Sequence, residues 1–297
     1  MDINTVDLPI TLASIRCIKP SGLYSIKKPY QYSGVLPPSE EHLRSNVEYT
    51  THENVPMHNL RGLPSEIKVN LEEHGFALHK LPFTADSTAL KTDATALQTY
   101  LTDLAAWTKT HFNAEKVLWY NYRFRRSDQK QNIADQETEM GSAELPNGPA
   151  SVAHIDITLK GGPKRIRRHL TKAEAEKYLG GKYRLRIVNA WKPLSPVHDN
   201  PLALCDRRTI SPSDLITVNR VSDAGSREFY YTIYQPQQKW YWLSTQQPDE
   251  TLFFLNYDSK PPNGACACPH TSFKDPGAGK VEPRESIEVR MIVISES

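Results

Sequence analysis

Pro283-Arg-Glu-Ser-Ile-Glu-Val-Arg-Met-Ile-Val-Ile294 lies near the end of the chain, and its reading decides the fold. From Ser286 onward the run is β-branched and apolar enough to be a strand, with Arg284-Glu-Ser286 at its opening end. Similar runs recur back along the chain, at 265–271, 250–256, 239–243, 228–234, 215–218, 202–205 and 184–191. Eight short strands separated by turns predict a jelly roll or a barrel. With 22 prolines against 14 glycines, the composition also suits strands broken by turns better than long helices.

Upstream the pattern changes. Leu90, Ala94, Leu97, Leu101, Leu104 and Trp107 recur at gaps of three and four, which predicts an amphipathic helix over 86–112. Thr171 followed by Glu174 is a capping box, so a second helix is expected over 172–178. A short helix is expected at 64–73, ended by Gly75, with strands at 76–78 and 117–124. Residues 1 to about 60 read as an irregular arm or cover with an edge strand or two near 47–49. The polar stretch 127–149 reads as a loop leading to the candidate site. The expectation is one domain over 1–297, mainly β with flanking α-helices. Residues 1–115 supply the N-terminal arm and buttressing helices, and 116–297 the jelly-roll core. No internal repeat or coiled-coil heptad is present.

Bulk properties exclude several classes. A formal net charge of +2 argues against a nucleic-acid partner. The opening MDINTVDLPI is too polar for a signal peptide, and no stretch is long and apolar enough to span a bilayer. Four cysteines, Cys17, Cys205, Cys266 and Cys268, make neither a dense disulfide framework nor two zinc-type pairs. A reduced, cytoplasmic setting is expected, with a small-molecule substrate and no membrane partner.

The chemistry-bearing residues are split along the chain. His154-Ile-Asp156 places two ligands two residues apart, which on a strand point to the same face. In a rolled antiparallel sheet, strands remote in sequence lie side by side, so His270 can join the pair from 116 residues away. Two histidines and one carboxylate form a facial triad that suits Fe(II) and leaves positions open for oxygen chemistry. Arg284 and Ser286 would then meet the far carboxylate of a dicarboxylate co-substrate such as 2-oxoglutarate, with Arg290 as the rival anchor. Cys266, Cys268 and His270 allow a zinc reading, but a fourth ligand is lacking. Arg123 and Arg125 alternate on a strand and can face a substrate carboxylate. Gly161-Gly162 and the basic run 164–168 lack the strand and helix of a phosphate loop and read as a charged turn.

At the level of motifs the chain resembles a known family. Asn189-Ala-Trp191-Lys-Pro193-Leu, Pro196-Val-x-Asp199-x-Pro201-Leu-Ala-Leu-Cys205-Asp206 and Trp240-Tyr241 are similar to segments of the fungal hydroxylase/desaturase group. So are Pro248-Asp249-Glu250, Tyr257-Asp258-Ser259, Pro269-His270-Thr271-x-Phe273-x-Asp275-Pro276 and the closing Pro283-to-Arg290 stretch. That group includes AsaB-type enzymes, the gibberellin desaturase and the cephamycin component CmcJ. The resemblance runs from about Val47 to Ile294. It implies a double-stranded β-helix of the cupin-like kind and an Fe(II)/2-oxoglutarate-dependent dioxygenase of secondary metabolism. His154, Asp156 and His270 would be the iron ligands, and O2 and 2-oxoglutarate the co-substrates. Arg123, Arg125 and Trp191 would face a small carboxylate-bearing metabolite, with the amino-acid-acting, aziridine-forming oxygenase TqaL as a close relative. Two departures touch the substrate side. Lys192 stands in the usual Trp-Arg-Pro, and Asn121-Tyr122 replaces the usual Asp-His pair.

Overall fold

The structure is a computed structural model, and it describes residues 3–83, 86–130, 146–223, 225–261, 267–279 and 281–296. Long strands form where β-branched and aromatic residues run uninterrupted. The N-terminal third gives β1 (Ile10–Ile18), β2 (Tyr30–Tyr32), β3 (Tyr49–Asn59) and β4 (Phe76–Lys80), then α1 (Ser87–Thr92) and α2 (Ala94–His111). The middle gives β5 (Lys116–Arg126), β6 (His154–Ile155), α3 (Gly161–Arg167), α4 (Lys172–Tyr178), β7 (Tyr183–Pro193) and β8 (Leu202–Cys205). The last third is β9 (Leu215–Ser222), β10 (Gly225–Thr232), β11 (Trp240–Trp242), β12 (Glu250–Asp258), β13 (His270–Ser272) and β14 (Glu285–Glu296).

Two sheets result. One has nine strands in the order β1-β3-β11-β8-β13-β6-β10-β9-β2, the other five in the order β4-β12-β7-β14-β5. Trp191, Leu252 and Phe254 of the smaller sheet pack on Leu202, Leu204 and Tyr241 of the larger, so the sheets lie face to face. The outer face of the smaller sheet is covered as well. Leu90, Tyr100, Leu101 and Leu104 of the helices pack on Val188, Phe253, Val289 and Met291. Coverage on both faces explains why all nine residues of β12 are buried, and why Leu-Phe-Phe-Leu reads as one apolar run. The mainly β class with flanking helices is therefore observed.

Several local expectations change. The region read as an irregular cover contributes three strands, β1, β2 and β3, hydrogen-bonded into the larger sheet. Their polar faces, with burial alternating along β1, hid them from an apolar-run search. The helix expected over 86–112 breaks at Asp93. That residue is extended and its side chain accepts from the Thr95 N–H, starting α2 afresh. No helix forms over 64–73. Arg184 and Arg186 bind the Glu72 carboxylate, and Arg207 takes the Glu72 and Glu73 carbonyls, so the segment follows buried cations. Gly75 is used at φ +82, where an added Cβ would press on Arg207. Gly161-Gly162 opens α3 instead of forming a turn, and a Cβ on Gly162 would clash with the Tyr257 ring. The capping box of α4 is present as expected.

Candidate metal centre and adjoining cavities

The short strand β6 sits between β13 and β10, and the register sets His270 directly opposite His154. Cross-strand pairing thereby closes the gap of 116 residues, leaving the two rings 4.3 Å apart between centroids and tilted by 49°. Both face the smaller sheet, where Phe254 of β12 lies 4.5 Å from His270. Asp156 lies just beyond β6, in a bend rather than on the strand, so period-two geometry does not by itself place it. Its backbone N–H donates to Asn256 Oδ1 at 2.9 Å, and its Oδ1 ends 3.4 Å from His154 Nε2. Ligand atoms of His154, Asp156 and His270 all lie within 4.8 Å of one another.

The surroundings set the chemistry of each donor. His154 Nδ1 lies 2.8 Å from the Val152 carbonyl, and His270 Nδ1 lies 3.1 Å from that of Cys268. A carbonyl only accepts, so each ring donates through Nδ1 and keeps Nε2 for an ion. Burial, and then the neighbouring His154, lowers the His270 pKa to about 4, leaving a neutral imidazole at neutral pH. Burial alone would raise the Asp156 pKa. The Arg290 guanidinium and His154 overcome it and hold this carboxyl well below the usual range.

From Arg284, just ahead of β14, the residues at 286, 288 and 290 follow at intervals of two along the strand. Arg290 is fully engaged: Nε donates to Asp156 at 3.0 Å, another nitrogen to Asn121 at 2.6 Å, and a third approaches Glu288 at 2.9 Å. Asn189 bridges Asp156 (3.2 Å) and Glu288 (2.6 Å). Arg284 differs. It is buried, donates to Ser286 Oγ at 2.8 Å, and stands 5.2 Å over the Trp191 ring. Its Nε is buried without a partner among the described residues. Burial, and then Arg125, lowers its pKa to about 9, the signature of a cation lacking a close counter-ion.

Two hollows meet at His154. A narrow cleft of about 20 Å³ is bounded by His154, His270, Trp191, Phe254, Arg284 and Glu288. A wider cavity of about 140 Å³ is bounded by His154, Asp156, Arg290, Tyr120, Phe229 and Tyr231, and by Arg123 and Arg125 among further arginines. Trp191 thus lines the cleft with Arg284 rather than the wider cavity. Two imidazoles and a carboxylate are the donor set of a non-haem Fe(II) site with open positions. A buried guanidinium with an unpartnered nitrogen is the complement a carboxylate requires.

Other candidates are not brought to this centre. Cys266 lies outside the described residues, and Cys268 donates to the backbone carbonyl of Cys205. Lys192 is buried and donates to the Pro248 carbonyl. Sequence reasoning missed the roles of Asn189, Asn256 and Glu288, although the alternation Arg284, Ser286, Glu288, Arg290 was visible in the sequence leading into β14.

Comparison with known proteins gives the same chemistry. Residues 19–294 match the model of a family described as "Oxidoreductase/YMDC permease-like domain". The hydroxylase/desaturase efuI of Hormonema carpetanum is 32% identical over 77% of this chain and 82% of the relative. The Fe(II)/2-oxoglutarate-dependent dioxygenase nvfI of Aspergillus novofumigatus is 30% identical over 86% of this chain and 88% of the relative. The chain belongs to this fungal hydroxylase/desaturase family. A solved structure of the iron and alpha-ketoglutarate-dependent endoperoxidase NvfI superposes with a TM-score of 0.80 at 26% identity, covering 97% of this chain and 99% of that one. The two curled sheets are therefore those of a double-stranded β-helix. The protein is an Fe(II)/2-oxoglutarate-dependent dioxygenase of fungal secondary metabolism. No helix among the described residues is long and apolar enough to cross a membrane.

Proposed function

We propose that His154 Nε2, His270 Nε2 and the Asp156 carboxylate hold the Fe(II), and that Arg284 and Ser286 anchor 2-oxoglutarate in the narrow cleft. Trp191 walls that cleft, while Arg123 and Arg125 receive a small carboxylate-bearing substrate, an amino acid among the candidates. The observation that carries this reading is the convergence of the three donors, each ring turned so that Nε2 is left for the ion. When bound, iron and co-substrate supply an oxidant from O2 by decarboxylating 2-oxoglutarate to succinate.

The chain supplies the rest. Val152 and Cys268 carbonyls hold the ring orientations, and Asn189 and Arg290 hold the carboxylate, as groups behind metal ligands do elsewhere. With Arg290 engaged at Asp156, Arg284 is the guanidinium left for the co-substrate. The cleft is narrow, so seating a five-carbon acid entails side-chain adjustment of the kind common at binding sites. Whether the outcome is hydroxylation, desaturation or a ring closure of the TqaL kind depends on which substrate carbon is held nearest the metal. We assign residues 1–297 to a single unit working in the cytoplasm, a setting that suits the free buried thiols of Cys17, Cys205 and Cys268.

The test is succinate release by the purified protein with Fe(II), 2-oxoglutarate and O2. Release that needs both iron and co-substrate, and that disappears in His270→Ala, is expected. Absence of release, or release unchanged in that variant, would favour a non-catalytic ligand-binding jelly roll or a non-redox isomerase.

A further inference from the structure

The wider cavity holds far more positive charge than one substrate carboxylate needs. Besides Arg290, committed to Asp156, Asn121 and Glu288, its wall carries Arg123, Arg125, Arg165, Arg168, Arg220 and Arg227. The chain has 17 arginines and a net charge of only +2, so seven around one cavity is a local concentration and not general basicity. They come from β5, from α3 and the residue after it, from β9, from β10 and from β14. One solvated strand face would not gather cations from five segments onto a concave surface. Asp156 is the only carboxylate among the described residues of that wall.

Internal neutralisation is partial: Arg125 pairs with Glu288 at 3.3 Å and donates to the Gly148 carbonyl at 2.9 Å. Among the described residues, Arg165, Arg168 and Arg220 make no ion pair. Arg165 lies 5.9 Å from the Tyr120 ring centre and Arg220 lies 4.5 Å from that of Phe229, with the Arg220 Nε buried and unpartnered. Further out the cavity joins a hollow of about 310 Å³, where Arg165, Arg168 and Arg227 are accompanied by Lys160 and Lys164, and by Glu228 paired with Lys28. Small-molecule pockets are ordinarily apolar with a few placed polar groups. Guanidinium groups gathered in one concavity repel each other and draw anions to it.

Resting on the oxygenase reading above, we infer that the substrate is a polyanion, a polycarboxylate or phosphate ester with at least two anionic groups. Arg123 and Arg125 grip its inner end, since Arg125 also borders the metal-side cleft. Arg165, Arg168 and Arg227 grip the outer end, where the cavity meets the second hollow. Tyr120, Phe229 and Tyr231 give the carbon skeleton an aromatic wall between them. Guanidinium forks bind carboxylate and phosphate with the same bidentate geometry, so the two classes share this recognition.

The test uses the whole protein loaded with Mn(II), which does not turn over, and saturated with 2-oxoglutarate so that the narrow cleft is filled. Calorimetric titration with tricarballylate, with pyrophosphate and with the neutral triethyl ester of tricarballylate separates the possibilities. At least one anion binds, the ester does not, and the tighter anion tells carboxylate from phosphate. The joint Arg165→Ala and Arg168→Ala variant, altered near the outer rim, loses roughly tenfold in anion affinity, about 1.4 kcal/mol. Added NaCl weakens the anion further, as screening requires. Ester binding as tight as the anion, no anion binding, or unchanged affinity in the double variant would overturn the inference. Failure of 2-oxoglutarate itself to bind the Mn(II)-loaded protein would instead sink the oxygenase reading beneath it.

Discussion

The two hollows that meet at His154 are built in different ways. The narrow cleft sets Arg284, just ahead of β14, and Glu288 of β14 beside Trp191 of β7, and closes them in with Arg125, Asn200 and the two histidines. The wide cavity assembles arginines from five segments that are distant in sequence. In the cleft the buried Arg284 keeps one nitrogen without a partner among the described residues, whereas in the cavity the positive charge is spread over many groups around a single lining carboxylate. Under the reading proposed above, the co-substrate meets one such cation, whose position is written in a short local pattern of the chain. The substrate would meet what several convergent elements present, and of the cavity's arginines Arg125 borders the cleft as well.

The sharpest way to break that division is at Arg284. Arg284→Ala is expected to raise the 2-oxoglutarate concentration for half-maximal succinate release about a hundredfold, some 2.7 kcal/mol, since it removes one partner of a buried charged contact. Binding of the polyanion in the other hollow should not change. If both fall together, the hollows are one site and the contrast is false.

Arg290 sharpens it next. This side chain holds Asp156 and Glu288, so Arg290→Ala leaves Asp156 without its cation and Glu288 with Arg125 alone. Loss of a partner behind a metal ligand costs roughly 10–100-fold in metal affinity, which equilibrium titration with Mn(II) measures. Glu288, left with Arg125 and Asn189, loses its shorter ion pair, which should also lower thermal stability. An unchanged metal affinity would show that Asn189 alone orients the carboxylate.

The smallest expected effect separates both hollows from their scaffold. Asp258, fully buried, is held by Arg184 at 2.9 and 2.6 Å and by Arg207 at 3.3 Å. Burial would raise its pKa, but the Arg184 hydrogen bonds and charge lower it below the ordinary value. Its folded form therefore binds a proton less readily than the unfolded chain does. The stability it contributes is complete above the unfolded carboxyl pKa of about 3.9 and is lost as pH falls through the lower folded value. Thermal melts in acid should fall less steeply with pH in Asp258→Asn than in the native chain. Equal slopes would remove Asp258 as a source of acid lability.

How far these regions could be read beforehand follows from the same contrast. The strands of the core, the α4 capping box, the triad and the Arg284–Ser286 pair were legible because each is a short pattern with a fixed period. β1 and β3 were not, since as partly exposed strands they lack a continuous apolar run. Asp93 carried its own signal, an N-cap residue inside a helical period, and its cap outweighed that period. The basic run 164–168 looked like solvated charge because a sequence does not show which cations share a concavity. The choice between Arg284 and Arg290 as anchor was likewise open in the sequence, which does not show that Arg290 donates to Asp156.

The account stands on one ion held by three side chains, and counting that ion tests it most directly. Anaerobic Fe(II) titration of the metal-free protein, followed by calorimetry, should give one tightly bound iron per chain. His154→Ala, Asp156→Ala and His270→Ala should each lose tight binding while melting as folded proteins. Full stoichiometry retained in His270→Ala would contradict the account.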